Sequence, residues 1–380
     1  MKILLIGEYS NLHNSLKQGL QKNGFEVTLL STGDGFKNFD SDIPIKSSVF
    51  ENKFLKLIAK LIDRLIGVSL NEIEIFIKAI FKINKLKGFD IVQLINERAF
   101  GTSPRLEKIV LKYIFKNNKK VFLLACGVDT VSIKYANEKK FRYSILSPYF
   151  ENKNLKKEFK HTTKYLNSNY LMLGEYVRDN VKGIISSDLD YHIPYENFNK
   201  YLGMIPNPVN IDKLKKSEIN KKNKIFILHA INSKNKIKKG NEFFEKSLIL
   251  IEEKYKNKIK IVKTIDRPYS EHIINVNECD ILLDQVYAYD QGYNALEAMA
   301  LGKVVFTGAE KEWVEFYNIK EDSVAINALP DISKIVEKLS WLIENPLQLK
   351  SISKNARKFI EEHHDYKNIA NKYLKTWKTK

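Results

Sequence analysis

Short apolar runs alternate along this chain with amphipathic helical stretches, the pattern of parallel strands covered on both faces by helices. Lys2–Ile6 is apolar, Asn11–Asn23 has helical spacing and Glu26–Ser31 is a second run, so the chain opens as strand, helix, strand. Thr32–Phe50 is polar and contains glycine, and it reads as a loop. Phe54, Leu55, Leu57, Ile58, Leu61, Ile62, Leu65 and Ile66 then recur at helical spacing, with Lys53, Lys56, Lys60 and Arg64 between them. Such a basic amphipathic helix over 53–66 either packs on the sheet or lies in an anionic membrane interface. Helices follow over Asn71–Lys85 and Ser103–Phe115, with strands at Gly88–Leu94, Lys120–Ala125 and Tyr201–Pro208. Strand ends carry polar residues, Glu8, Glu97, Arg98 and Asp129, and an α/β sheet binds ligands beyond those ends.

A second series starts after Pro206-Asn207-Pro208, where two prolines stiffen the chain and forbid helix. Lys224–His229 and Ile259–Thr264 are strands around a helix at Glu242–Tyr255, with a lysine-rich loop at Ile231–Gly240 and a further loop at Asp266–Ser270. Ile281–Leu283 and Val304–Phe306 are strands flanking a helix over Tyr293–Leu301, which Gly292 opens and Gly302 closes. That helix is apolar nearly all round, and past its first turn only Glu297 breaks the pattern. A carboxylate there needs donors: neighbouring backbone N–H groups, a lysine, or the hydroxyls of a ligand. Lys334–Ile343 and Leu347–Lys380 form a helical tail anchored by Trp341, Phe359, Tyr366, Tyr373 and Trp377. His363 and His364 are neighbours on that tail and point in different directions, so they read as surface or packing residues.

At 380 residues the chain exceeds one hydrophobic core, which implies two α/β domains, 1–205 and 206–350, with 351–380 as a terminal helical segment. The net charge of +18 would suit an anionic partner, but only seven of the 63 cations are Arg, so nucleic acid is not expected. Gly7-Glu8-Tyr9-Ser10 holds one glycine and falls short of the dinucleotide fingerprint. The two cysteines, Cys126 and Cys279, are distant and read as buried thiols of a reducing cytoplasm. Nothing approaches the roughly 18 apolar residues of a membrane span. The expected location is therefore cytoplasmic, with peripheral contact at the inner face of the membrane if the 53–66 helix is interfacial.

GlyTyrAsnAlaLeuGluAlaMetAlaLeuGlyLysValVal, residues 292–305, resembles the donor-binding segment of the retaining nucleotide-sugar glycosyltransferases of the GT-B fold. Lys239-Gly240 resembles the family's diphosphate contact, and Pro206-Asn207-Pro208-Val209 its interdomain linker. The resemblance implies two Rossmann-like doubly wound domains with a cleft between them and a last helix crossing back to the first. It implies a nucleotide-diphosphate sugar as co-substrate, no cofactor and no metal. Lys239, Gly240, Asn232 or Ser233, and the N–H groups at Gly292, Tyr293 and Asn294 would hold the diphosphate. Glu297 would take the ribose hydroxyls, and Asp290 and Gln291 would face the sugar. The sequence departs from the family at Tyr289, eight residues before Glu297, where the family's first signature Glu stands. Glu8 and Asp129 are candidates for the catalytic base from their strand-end positions. The acceptor implied is a saccharide or lipid-linked saccharide of a bacterial surface polysaccharide. A nucleotide-sugar epimerase of related fold and a non-catalytic two-lobed binding protein are the alternatives. Asp188-Leu189-Asp190 resembles the metal-binding pair of the other glycosyltransferase fold but lies among loop signals.

Overall fold

The computed structural model describes residues 1–34, 39–48, 69–216 and 224–380; the expected basic helix at 53–66 lies outside the described residues. The first lobe contains strands β1 (Lys2–Ile6), β2 (Glu26–Ser31), β3 (Ile43–Pro44), β4 (Ile91–Leu94), β5 (Lys120–Ala125), β6 (Gly183–Ser186) and β7 (Tyr201–Met204). Its helices are α1 (Leu12–Lys22), α2 (Leu70–Phe81), α3 (Pro104–Asn117), α4 (Thr130–Asn137), α5 (Ser147–Glu151), α6 (Lys156–Thr163), α7 (Ser168–Asn180) and α8 (Leu189–Tyr195). The second lobe contains β8 (Ile225–Ile231), β9 (Ile259–Ile265), β10 (Ile281–Leu283), β11 (Val304–Thr307) and β12 (Ile326–Asn327). With them run α9 (Asn241–Tyr255), α10 (Tyr269–Glu278), α11 (Tyr293–Ala300), α12 (Lys311–Tyr317), α13 (Ile332–Glu344), α14 (Pro346–His363) and α15 (Tyr366–Lys378).

Both sheets are parallel throughout, with orders β3-β2-β1-β4-β5-β6-β7 and β12-β11-β10-β8-β9. β1, β10 and β11, and β4 apart from the buried Gln93, run apolar without alternation because helices cover both of their faces, and Ile3, Leu4, Leu282 and Val305 are fully buried. The order of connection reverses between β1 and β4 in one sheet and between β8 and β10 in the other. Loops leaving such a pair of strands diverge and open a crevice.

Three expectations change. The Thr32–Phe50 loop holds a short edge strand, β3, whose Pro44 is tolerated because an edge position needs no N–H toward a further strand. The loop at Asp266–Ser270 already contains the start of α10. The tail does not run unbroken to Lys380 but divides at His364–Asp365, where the interlobe linker crosses it. Val209 N–H donates to the His364 carbonyl at 2.7 Å and Tyr366 N–H to the Val209 carbonyl at 3.1 Å. His364 is buried with Nδ1 2.9 Å from the Asn207 carbonyl, and Asp365 caps α15 through the N–H groups of Lys367 and Asn368.

α15 docks on the first lobe, its Trp377 ring 6.3 Å from that of Phe122. Gly19 of α1 makes the approach possible, because a Cβ there would lie 2.3 Å from the Tyr366 carbonyl oxygen and 2.9 Å from the Ala370 Cβ. Gly19→Ala is expected to cost about 1–3 kcal/mol of stability by forcing these helices apart. Urea denaturation followed by tryptophan fluorescence reads this directly, and an unchanged midpoint would contradict the docking.

Candidate functional site

A cavity of about 300 Å³ opens where the loops after β8, β9 and β10 meet the first turn of α11, closed on the other side by Ser10 and Phe39 of the first lobe. Of the residues expected to hold a donor, it gathers Asn232, Lys239, Gly292, Tyr293, Asn294 and Glu297. Ser233, Gly240, Asp290 and Gln291 do not line it. Ser233 ties the β8 loop to the β9 loop through Asp266, which accepts its N–H at 2.9 Å and its hydroxyl at 2.6 Å. Gly240 is left-handed at φ 67° and packs so closely that a Cβ would lie 2.9 Å from the Val286 Cβ.

The organising group is Asp284, at the end of β10. Its buried carboxylate takes Lys239 Nζ at 2.8 Å and Asn294 Nδ2 at 2.9 Å on one oxygen, and Thr307 Oγ1 at 3.3 Å on the other. Lys239 is therefore a positioned ammonium with its stem along the cavity wall, not a free side chain in a lysine run. Since the carboxylate can only accept, the Asn294 amide is oriented with its oxygen toward His272, whose Nε2 donates to it at 2.6 Å. Glu297 lines the cavity one turn on and accepts the Tyr269 hydroxyl at 3.0 Å. Tyr293 does more than offer an N–H: its hydroxyl meets Ser15 Oγ of α1 at 2.7 Å and donates to the Pro208 carbonyl of the linker.

Beyond Gly292 and Gln285, which it shares with the first cavity, a second one of about 200 Å³ runs between the lobes. Asp290 and Gln291 line it together with Asp188 and Asp190. Asp190 accepts the N–H groups of Tyr289 at 3.2 Å and Asp290 at 3.3 Å, and Asp290 accepts the Leu189 N–H at 3.1 Å, so each lobe's carboxylate caps the other's backbone. The Tyr289 side chain turns away from both cavities. It is buried against Phe141 and Tyr143, lies under Arg142 at 4.7 Å, and accepts the Arg142 N–H at 2.8 Å. Arg142 in turn pairs with Glu310 at 2.5 Å and Glu312 at 2.6 Å across the seam. Desolvation raises the acids of this seam, Asp190 to about 7 and Asp290 to about 6, while Asp188 rises further under burial and the charges of its two neighbours.

Neither candidate base lines a cavity described above. Asp129 is the N-cap of α4, accepting the Ser132 N–H at 2.7 Å, and sits beside a buried network in which Glu97 pairs with Arg178 and takes the Thr130 N–H at 2.9 Å. Glu8 is buried behind the first turn of α1 and takes the Asn14 N–H and side-chain amide, both at 2.9 Å, on one oxygen. Its other oxygen has no hydrogen-bond partner among the described residues, and burial pushes its pKa up to about 8.

Tyr269, His272 and Gln285, which line the cavity, and Asp284, which is buried behind it and positions Lys239, carry no ligand-facing assignment from the sequence. A signal for the first two exists: Pro268 before Tyr269, an acid at Glu271, and apolar spacing at Tyr269, Ile273 and Val276 mark a helix start beside the cavity.

Lys239→Met would leave Asp284 buried with an unbalanced charge and is expected to destabilise by roughly 3 kcal/mol. Adding Asp284→Asn should recover most of that loss, measured by urea denaturation, while any anion binding that depends on Lys239 stays lost. For Glu8, the folded pKa of about 8 exceeds the reference 4.5, so the folded chain keeps a proton that the unfolded chain releases, and stability falls as pH rises between them. Glu8→Gln should make that fall shallower by up to about 1.4 kcal/mol per pH unit. Parallel slopes for both proteins across this window would contradict the assignment.

Residues 227–375 match a family model described as Glycosyl transferase-like. No curated protein matches the sequence. Among solved structures, sucrose-phosphate synthase from Thermosynechococcus elongatus aligns at TM-score 0.63 and 14% identity, over 100% of this chain and 98% of that one. Anabaena HepE, in complex with UDP and glucose, aligns at TM-score 0.59 and 12% identity over 100% of both chains. A candidate UDP-N-acetylglucosamine 2-epimerase from Listeria monocytogenes aligns at TM-score 0.55 and 12% identity, over 98% and 94%. These likenesses and the two facing parallel sheets make the fold that of the GT-B glycosyltransferases, two Rossmann-like domains around a cleft.

Proposed function

We propose that this protein is a glycosyltransferase that moves a sugar from a nucleoside-diphosphate sugar to a saccharide or lipid-linked acceptor in surface polysaccharide assembly. The observation that carries this reading is the meeting of Lys239, the N-terminus of α11 and Glu297 in one cavity at the turning point of the second sheet. A positioned ammonium and converging helix N–H groups suit a diphosphate, whose charge grows as the sugar departs. Glu297, already accepting a hydroxyl from Tyr269, suits the ribose diol. The match of the second lobe to a glycosyltransferase model and the UDP bound in HepE agree with this direction.

In this reading, Lys239 and the α11 amides balance the leaving diphosphate without requiring a divalent cation. Transfer is retaining, by front-face attack on the departing sugar, with the second cavity receiving the reacting groups. Gln285 and Gly292, common to both cavities, stand at the junction where the transferred sugar would lie. Asp290 uses both oxygens on backbone N–H groups, those of Leu189 and Gln291, so Gln285 takes over part of the sugar contact expected of it.

The epimerase reading is favoured by one observation, the alignment with the Listeria protein, and it differs in needing no acceptor. Glu297→Gln is expected to weaken UDP binding by about tenfold through loss of charge-assisted hydrogen bonds. Calorimetric titration checks this, and equal affinity would remove Glu297 from the site. Turnover of a UDP-sugar without acceptor would decide for the epimerase.

A further inference from the structure

The second cavity offers acceptors in excess of donors. Asp188 and Asp190 of the first lobe and Asp290 and Gln291 of the second line it, and among the described residues no lysine, arginine or histidine does. The four are held together by hydrogen bonds as well as by the shared space. Asp290 accepts the N–H of Leu189, next to Asp188, on one oxygen and the Gln291 N–H at 2.7 Å on the other. Asp190 accepts the N–H groups of Tyr289 and Asp290, and Asp188 accepts the Ser187 hydroxyl at 2.9 Å. Every donor in this set is neutral.

Two acceptor atoms are left over. The second carboxylate oxygen of Asp188, Oδ1, is buried and has no hydrogen-bond partner among the described residues. Gln291 is 2% exposed; its Nε2 donates to the Gly308 carbonyl at 2.7 Å, and its buried Oε1 likewise has no partner among the described residues. Phe141, Tyr191 and Tyr287 line the same space. Carboxylates and aromatic rings in one small enclosure favour an ammonium group, the acids through charge-assisted hydrogen bonds and the rings through their quadrupole. A metal ion is the other cation to weigh, but among the described residues no three His, Cys, Asp or Glu side chains are grouped to hold one. Burial raises the pKa of all three acids, and a cation among them opposes that shift, which a neutral ligand does not.

We propose that the second cavity is a subsite for a sugar bearing a free amino group, its ammonium held by the open acceptors of Asp188 and Gln291. Calling the ligand a sugar rests on the glycosyltransferase reading; the preference for an ammonium group does not. The amine belongs either to the transferred sugar, since Gln285 and Gly292 join this cavity to the first, or to the acceptor.

Two titrations of the full-length protein separate these sources. Ligand-observed NMR with glucosamine, N-acetylglucosamine and glucose on the UDP-saturated protein tests the acceptor, and calorimetry with the three corresponding UDP-sugars tests the donor. In at least one of them the amino sugar should bind about tenfold or more tightly than both neutral counterparts. Asp188→Asn, nearly isosteric, should abolish that preference while UDP affinity stays unchanged. Where the variant fails to fold, the wild-type preference over the N-acetyl sugar, whose nitrogen is uncharged, decides by itself. If UDP fails to bind, the free-sugar titration without UDP still decides the ammonium site, so the two failures are distinct. Equal affinity for amino and neutral sugars in both titrations, or a preference that Asp188→Asn leaves intact, would overturn the proposal.

Discussion

The buried carboxylate of Asp284 is the constraint on which the site depends. A strand end, a lysine loop and a helix N-terminus come from three separate parts of the chain, and each needs a partner to be held in place. One side chain supplies it to all three, through Lys239, Asn294 and Thr307. Such an acid is tolerable only because its charge is met by a cation and by donors fixed on rigid elements. The same contacts turn Lys239 from a member of a solvated run into a group with a defined position, and set the Asn294 amide that His272 then reads.

The seam between the lobes follows a second logic. Beside its apolar contacts, it is held by carboxylates that accept peptide N–H groups of the opposite lobe, Asp190 on Tyr289 and Asp290, and Asp290 on Leu189. Burying those acids raises their pKa values, so the seam stores unfavourable desolvation that ordinary surface contacts lack. Arg142, bound to Glu310 and Glu312 and laid over Tyr289, adds an ion-pair cluster on the outer side.

Much of this was legible in the sequence because glycine and apolar spacing punctuate it. Most of the strands and the helix between Gly292 and Gly302 follow from local pattern, whereas the expectation that Glu297 and Lys239 share a site came from the family resemblance of their motifs; the short strands β3, β6 and β12 were not read. What was hidden depends on the other lobe. Tyr289 occupies a loop, and its direction is set by Arg142 and Phe141, more than 140 residues away. The break at His364 is invisible in a helical pattern, since it is made by the linker passing beneath. Asp129 and Glu8 stand at strand ends as expected, yet strand-end position does not say which side of the following helix a short carboxylate will cap.

Tyr293 gives the architecture a thermodynamic property. Its amide opens the helix at one wall of the cavity, while its hydroxyl spans to Ser15 in the first lobe and to the linker at Pro208. The cavity wall and the contact between lobe and linker thus share one residue. Whatever preference a bound ligand has for one hinge angle, that hinge angle has for the ligand, by the same free energy. A single phenol so placed ties the geometry of the cavity wall to that of the linker.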